Sequence, residues 1–225
     1  MVTIIPRPAA SSTADAIRRP RQKRSQQRFE AILDSADRLL ETMEPEAISI
    51  YTLAEEARLS APSIYHFFPD AGQVFVALAE RYTRQFVDLL DLPLPPGITS
   101  WQQYMAARYG HGRDHYNAHG AARRLLLGSG LSATIRARDL ENDSVLAQRS
   151  MAELCQLFDI SPSADLIDRL IEVVVINDAI WTLSVHRHGV ITDAYEEQAR
   201  RAREAYCRTF LPEYLPLRAA SDQAA

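Results

Sequence analysis

The chain has 225 residues, of which 47% are apolar and 24% charged, and its formal net charge is −4. These values are ordinary for a globular protein and exclude a membrane-spanning one, because no apolar run reaches the roughly 18 residues that a bilayer requires. The N-terminus has no secretory signal and the two cysteines, Cys155 and Cys207, have no metal-binding spacing, so we expect a cytoplasmic protein without a membrane partner.

The first segment, residues 1–24, is rich in Pro, Ala, Ser and Arg and is predicted to be a disordered basic arm. The stretch from Arg18 to Arg28 contains six basic side chains and no acidic one. Local positive charge attracts phosphate even when the net charge of the protein is negative. Alone, such a run equally fits a solvated tail, but its position before the helices described next favours DNA contact by Arg21, Lys23 and Arg24.

Residues 25–70 are predicted to form three helices around a small core. Apolar residues recur at helical spacing in the first helix, and Ser49 and Ser60 are placed to cap the second and third. Pro62 is tolerated because it lies in the first turn of helix three, where its missing N–H has no partner in the helix. The chain then breaks at Pro69, and Asp70 can cap the next helix.

Helices two and three form a helix-turn-helix pattern, in which the second helix exposes small and polar side chains suited to the major groove of DNA. Hydroxyl groups suit phosphate oxygens or base edges, small side chains permit close approach, and an imidazole can reach a phosphate or a purine nitrogen. The exposed Tyr65 and His66 could instead only cover the surface of the domain. The candidates for DNA binding on these helices are Thr52, Ser60, Ala61, Pro62, Ser63 and His66.

The remainder of the chain is predicted to be helical as well. Residues 71–90 form a long connecting helix, and a Pro-rich linker then opens a larger domain, residues 91–225. Thr99 with Gln102 resembles a capping box at the start of this domain. Further helices are predicted at about 121–127, 143–158, 162–188 and 193–210. No segment has a convincing strand pattern, so the expected fold is all-α with about nine helices.

Three histidines, His111, His115 and His119, are spaced four residues apart. Two histidines at this spacing can bind a metal, but successive pairs on a straight helix rise about 6 Å, too far for all three to bind one ion. Gly110 and Gly112 also predict an interrupted helix here. We therefore predict neither a metal site nor a cofactor.

The helix-turn-helix region resembles the TetR (tetracycline-repressor) family of bacterial transcriptional regulators over about residues 25–85. The resemblance rests on residues Leu53-Ala54, Ala57-Arg58-Leu59-Ser60, Ile64-Tyr65 and Phe68-Pro69. It implies an N-terminal three-helix DNA-binding domain, a larger C-terminal ligand-binding and dimerisation domain, and phosphate binding by Tyr65. It also implies a homodimer on a palindromic double-stranded DNA operator and a small-molecule effector of unknown identity.

The larger domain offers candidates for both of its implied roles. A ligand site needs an apolar cavity with a few polar groups, although a buried polar residue there can equally pair within the protein. The ligand-binding candidates are Trp101, Tyr104, Arg108, Tyr109, Tyr116, Arg123, Leu127, Asn177 and Trp181. The last two helices are apolar on several faces and could pair with their symmetry mates in a four-helix bundle or pack only within one chain. The dimer candidates are Leu170, Val174, Ala199, Ala202, Tyr206 and Phe210.

The leading interpretation is a ligand-responsive, sequence-specific transcriptional regulator, a repressor that a small molecule releases from its operator. The alternative is an all-helical small-molecule-binding or scaffold protein with a weakened DNA-binding part. Arg58 in place of the family's turn glycine, Phe67 in place of a polar aromatic, and a missing lysine at the start of helix four favour the alternative. The basic arm and the intact face of helix three favour the regulator. No nucleophile–base pair, phosphate loop or carboxylate dyad appears at a supporting spacing, so we do not expect an enzyme.

Overall fold

The computed structural model describes residues 17–218, and within that range it contains nine α-helices and no strand. The all-α prediction is therefore confirmed. The helices are α1 (Lys23–Leu40), α2 (Ile50–Ala57), α3 (Ala61–Tyr65), α4 (Ala71–Asp88), α5 (Trp101–Ala118), α6 (Gly120–Ala122), α7 (Ala133–Leu157), α8 (Ala164–His188) and α9 (Asp193–Cys207). A π-helical turn, Arg123–Leu127, extends α6, and a 3₁₀ turn, Leu89–Asp91, extends α4.

The N-terminal unit, α1–α3, forms because each helix has a local start signal and one apolar face. The hydroxyl of Ser49 accepts a hydrogen bond from the amide of Thr52 at 3.1 Å, and the Thr52 hydroxyl accepts one from the amide of Ser49. This reciprocal pair confirms the predicted cap of α2. Ile64 of α3 and the following Phe68 are fully buried against α1, which places the opposite face of α3 in solvent.

The turn between α2 and α3 is made by Arg58, whose φ of 53° and ψ of 41° place it in the left-handed region. Arg58 is the only residue other than glycine with positive φ among residues 17–218. The Cβ atom makes this conformation unfavourable, whereas glycine adopts it freely. The amide of the next residue, Leu59, still closes the helix by donating to the carbonyl of Ala54 at 3.0 Å.

We expect Arg58→Gly to raise the free energy of unfolding by about 1 kcal/mol, because the substitution removes the left-handed strain. Urea denaturation of the wild type and the variant measures this difference. The matched control is Arg84→Gly, the same substitution at an exposed position within α4, where we expect a loss of about 1 kcal/mol. A destabilised Arg58→Gly would show that the arginine side chain stabilises the turn by more than its backbone strain costs.

The segment before α1 has a defined path along the N-terminal unit. The backbone N–H of Arg18 donates to the carbonyl of Phe67 at 2.9 Å, and Ile17 packs against the core. The prediction of a disordered arm is therefore wrong for residues 17–24, because a backbone hydrogen bond and an apolar contact hold this segment against the N-terminal unit. The first 16 residues lie outside the described range.

The start of α5 differs from the sequence prediction. Its N-cap is Ser100, whose hydroxyl accepts from the amide of Gln103 at 3.3 Å, and not Thr99 paired with Gln102. The Gln103 side chain accepts in return from the amide of Thr99 at 2.8 Å. The predicted reciprocal capping box is therefore absent, because the cap lies one residue later and the Gln103 side chain bonds the amide that precedes the N-cap.

Helix α5 also runs unbroken through Gly110 and Gly112, where an interruption was predicted. A glycine inside a helix costs only about 1 kcal/mol relative to alanine, which tertiary packing can offset. A Cβ on Gly112 would lie 3.7 Å from the ring of Trp181, an ordinary van der Waals distance, so the packing does not require glycine at this position. On either side of Gly112, Tyr109 and Tyr116 of α5 pack edge-on against the same Trp181 ring.

Helix α7 begins at Ala133, ten residues before the predicted start at about 143. Ser132 caps it by accepting a hydrogen bond from the amide of Ile135 at 3.2 Å. The first ten residues of α7 are mostly polar or charged. Their sequence therefore has no clear apolar period that would predict a helix. The predicted caps of α4 and α9, Asp70 and Thr192, are confirmed.

A continuous cluster of buried side chains joins the N-terminal unit to the larger part of the protein. It includes Phe29 and Phe68 at one end and Tyr116, Trp181 and Ala199 at the other. A second cluster packs together the starts of α5 and α8 and the ends of α7 and α9. Among residues 17–218, no helix is long and apolar enough to cross a bilayer.

Candidate nucleic-acid interface and internal cavity

The exposed face of α3 brings together most of the predicted DNA-binding residues. Tyr65 is 47% exposed and His66 follows it in solvent. The hydroxyls of Ser60 and Ser63 lie 2.8 Å apart, so the two side chains hydrogen-bond each other rather than capping the helix. Ala61 and Pro62 lie between them on the same short helix. In contrast, the Thr52 hydroxyl already accepts a hydrogen bond from the amide of Ser49 in the cap of α2.

Exposed basic side chains lie at the start of α1 and just before it. Arg21, Lys23 and Arg24 are exposed, and among residues 17–218 none of them forms an ion pair. Arg28, one turn further along α1, lines a groove with Ser25, Pro62, Ser63, His66 and Phe67. The groove therefore joins the basic part of α1 to the exposed face of α3. Unpaired arginines and lysines are the side chains that neutralise DNA phosphates.

A second candidate site is a partly open cavity of about 100 Å³ lined by residues of α4, α5, α7 and α8. Pockets for drug-sized ligands have volumes of roughly 300–1,000 Å³, so this cavity has room only for a smaller molecule unless its walls move. Six of the nine predicted ligand-binding residues line it: Tyr104, Arg108, Tyr109, Tyr116, Asn177 and Trp181.

The other three predicted ligand-binding residues do not line the cavity. Trp101 is fully buried in the second core cluster and donates its indole N–H to the carbonyl of Pro212 at 3.0 Å. Arg123 donates to two main-chain carbonyls at the end of α5, those of Tyr116 and Asn117. Leu127 is buried in the first core cluster, on the α6 side of the protein. These three residues therefore lie away from this cavity, and Arg123 and Leu127 line a separate surface depression instead. The helical period locates a buried face of a helix but not the neighbour that buries it.

Several polar groups at the cavity already have partners inside the protein. The Arg108 guanidinium forms two hydrogen bonds with Glu153, at 2.5 and 3.0 Å, and a third with the carbonyl of Leu92. The Asn177 side chain accepts from Arg203 through its oxygen and donates to Asp178 through its nitrogen. These two residues therefore shape the cavity wall, and their polar atoms are largely occupied.

The cavity also contains three carboxyl groups, those of Asp139, Asp143 and Asp178. Burial and the neighbouring carboxylates Asp178 and Asp139 raise the pKa of Asp143 to about 8. Burial and Asp139 raise the pKa of Asp178 to about 7. Burial raises the pKa of Asp139 as well, against the opposing effect of Arg136. The ligand-free cavity is therefore acidic and holds protons near neutral pH.

Comparison with known proteins gave matches only among solved structures, since no family model and no curated protein matches the sequence. A TetR-family regulator from Streptomyces coelicolor has 19% identity and a TM-score of 0.61, over 81% of this chain and 80% of that one. A TetR regulator from Rhodococcus sp. RHA1 has 17% identity and a TM-score of 0.62, over 83% and 97%.

The triclosan complex of SmeT, a repressor of a Stenotrophomonas maltophilia multidrug efflux pump, has 16% identity and a TM-score of 0.56, over 86% and 99%. The chain has the TetR fold. The resemblance drawn from the helix-turn-helix residues is thereby confirmed at the level of fold.

Within the TetR fold, the predicted dimer residues occupy different environments. Leu170 and Ala199 were predicted to contact a second subunit. Both are buried inside this chain, so a partner cannot reach them. Val174 is partly buried and lines the cavity. The three partly buried candidates that remain on α9 and just after it are Ala202, Tyr206 and Phe210. Exposed apolar surface on α8 is instead provided by Leu183, at 40% exposure.

None of the three histidines at the end of α5 lines the cavity. The rings of His115 and His119 are tilted by 39° to each other with centroids 4.3 Å apart, and His115 also contacts Phe86, which lines the cavity. Burial, and then His119, lowers the pKa of His115 to about 4, so this imidazole is neutral near pH 7. Among residues 17–218, no group of three or more His, Cys, Asp or Glu side chains is arranged to hold a metal.

Sequence analysis missed two features of the sites in this TetR-fold protein. Asp139 and Asp143 point into the cavity from α7, and their spacing of four residues, continued by Leu146 and Ala147, was the available signal. Tyr51 is 71% exposed on α2, and its position two residues before the buried Leu53, on the opposite side of the helix, was equally visible in the sequence.

Proposed function

We propose that the protein is a ligand-responsive, sequence-specific DNA-binding regulator of transcription, a repressor that a small molecule releases from its operator. The observation that carries this proposal is the solvent-exposed face of α3 beside unpaired basic side chains of α1. The TetR fold supports the proposal, since the similar solved structures are named as transcriptional regulators.

The DNA contacts follow from the chemistry of this face. The Tyr65 hydroxyl and the arginines of α1 bind phosphates, whereas Ser63, Pro62 and His66 approach base edges in the major groove. One such unit reads only a few base pairs. Two units placed about 34 Å apart on a palindromic operator reach successive major grooves, which requires a homodimer. We propose α8 and α9 as its interface.

A physical connection between the cavity and the N-terminal unit supports regulation by a ligand. The carboxylate of Glu41, just after α1, accepts a hydrogen bond from the amide of Gly120 at 2.8 Å. Arg124 donates to the carbonyl of Leu40 at 2.7 Å. Both contacts come from α6 and its π-helical turn, which follow the cavity helix α5 directly. A ligand that moves α5 therefore changes the position of α1, and with it the spacing of the two α3 helices.

We expect Tyr65→Ala to weaken binding to DNA from upstream of the protein's own gene about tenfold, because it removes a phosphate contact from each α3. A fluorescence-anisotropy titration over a salt series measures this, with an unrelated duplex for comparison. Tyr214→Ala is the matched control, since Tyr214 is 87% exposed near the C-terminal end of the described chain. Equal weak binding of wild type and variant to both duplexes, repeated on genome-selected DNA, would favour a scaffold or ligand-binding protein instead.

A further inference from the structure

The three carboxyl groups of the cavity differ in how many hydrogen-bond partners they have. Asp139 accepts from Arg136 at 2.8 Å, and Asp178 accepts from Asn177 at 3.2 Å. Asp143 is only 2% exposed, and its Oδ2 atom has no hydrogen-bond partner among the described residues. A buried acceptor without a partner is unfavourable, and this one lies on the cavity wall. The cavity therefore contains an unused acceptor in an acidic environment.

The cations near the cavity are already engaged by other side chains. Arg136 pairs with Asp139 at 2.8 Å, Arg108 is held by Glu153, and Arg203 pairs with Glu196 at 2.8 Å. None of these guanidiniums forms a hydrogen bond with Asp143. Arg136 favours the ionised forms of Asp143 and Asp178 from a distance, but among the described residues no protein cation forms an ion pair with either carboxylate. A positively charged ligand would supply the missing counter-charge, whereas an anion would be repelled.

The remaining wall suits the apolar part of such a ligand. Aromatic rings line it from α4, α5 and α8, and aromatic faces attract organic cations. One such contact already exists within the protein, because the Arg203 guanidinium lies 4.1 Å from the ring centroid of Tyr109. The rings lining the cavity are those of Phe86, Tyr104, Tyr109, Tyr116 and Trp181.

We propose that the effector is an organic cation, with its positive group against Asp143 and its apolar body on the aromatic wall. This inference rests on the proposed function, since it specifies the ligand class of the same regulator. The small volume of the cavity favours a compact ligand, such as one ring bearing a substituted ammonium group. Binding exchanges a proton on the carboxyl groups for the cation.

This exchange predicts a dependence of affinity on pH. Because burial and neighbouring carboxylates raise the pKa values of Asp143 and Asp178, a cation competes with protons at acidic pH and binds ionised carboxylates at higher pH. Affinity for the cation should therefore rise from pH 6 to pH 8.5. The other ionisable groups facing this site from its neighbouring helices are Tyr104, Arg108, Tyr109, Tyr116, Arg136, Asp139, Glu153 and Arg203.

The test compares phenyltrimethylammonium with tert-butylbenzene, its neutral isostere, by calorimetric titration of the full-length protein without DNA. We expect the cation to bind at least tenfold more tightly than the isostere at pH 8.5, and this ratio to shrink at pH 6. Asp143→Asn should weaken cation binding at least tenfold and leave tert-butylbenzene unchanged. Asp168→Asn, at an exposed position of α8, is the matched control and should change neither. Equal binding of the two probes, or unchanged cation binding by Asp143→Asn, would overturn the proposal.

A parallel titration on operator DNA separates this inference from the proposed function. Release of DNA by the cation but not by its isostere supports both. DNA binding by a protein that does not bind the cation overturns the ligand class alone. If the protein binds the cation through Asp143 but binds no DNA, the cation site stands and the proposed regulatory function is overturned.

Discussion

Replacing Arg203 with alanine is expected to lower the free energy of unfolding by about 3–5 kcal/mol. Arg203 is 1% exposed, and its guanidinium pairs with Glu196, donates to Asn177 and covers the ring of Tyr109. The truncation leaves the Glu196 carboxylate with only the indole N–H of Trp181, at 2.9 Å, and leaves the oxygen of Asn177 unpaired. An unpaired buried charge costs more than the pair contributes when intact.

Urea denaturation at pH 7 measures this loss. The matched control is Arg201→Ala in the same helix, because Arg201 is 67% exposed and pairs only with Glu197 at the surface. We expect the control to change stability by less than about 0.5 kcal/mol. Similar losses in the two variants would mean that the buried network contributes no more than a surface ion pair.

Replacing Asp143 with asparagine is expected to stabilise the protein at alkaline pH. The pKa of Asp143 is about 8 when folded, and that of an aspartate in the unfolded chain is about 3.9. The folded state therefore binds the proton more tightly, and this contribution to stability is complete below pH 4 and is lost as the pH rises through 8. Asparagine cannot ionise, so it avoids this loss.

The advantage of Asp143→Asn over the wild type should be close to zero at pH 4.5 and reach roughly 2–4 kcal/mol at pH 8.5. Paired urea titrations at these two pH values measure it, and Asp168→Asn should show no such trend. A constant difference across the pH range would indicate that Asp143 is ionised throughout. The same substitution that stabilises the protein is expected to remove cation binding, so its loss of binding cannot be attributed to unfolding.

The parts of the fold that depend on local signals could be predicted from the sequence. Ser49, Asp70 and Thr192 cap the helices they were expected to cap, and the helix-turn-helix residues identified the TetR fold. Such signals act within one turn of the chain, so they do not require knowledge of neighbouring helices.

Features that depend on contact between helices far apart in the sequence were harder to predict from the sequence. The helix α5 continues through Gly112 where its neighbours Tyr109 and Tyr116 pack against Trp181 of α8, and Asp139 reaches the cavity only because α7 begins earlier than its polar residues indicated. Likewise, Leu170 and Ala199 belong to apolar faces that this chain buries by itself. The DNA-binding and dimer assignments stay predictions, since they concern partners outside the chain.

The shared core of the N-terminal unit and the cavity has a practical consequence for finding the effector. Since Phe29 and Phe68 belong to the same buried cluster as Tyr116 and Trp181, the two regions are expected to melt in one cooperative transition. A ligand present at 100 times its dissociation constant adds about 2.7 kcal/mol to the stability of everything in that transition. A thermal-shift screen of small molecules would therefore detect binding in the cavity as a higher melting temperature of the helix-turn-helix, without any DNA in the assay.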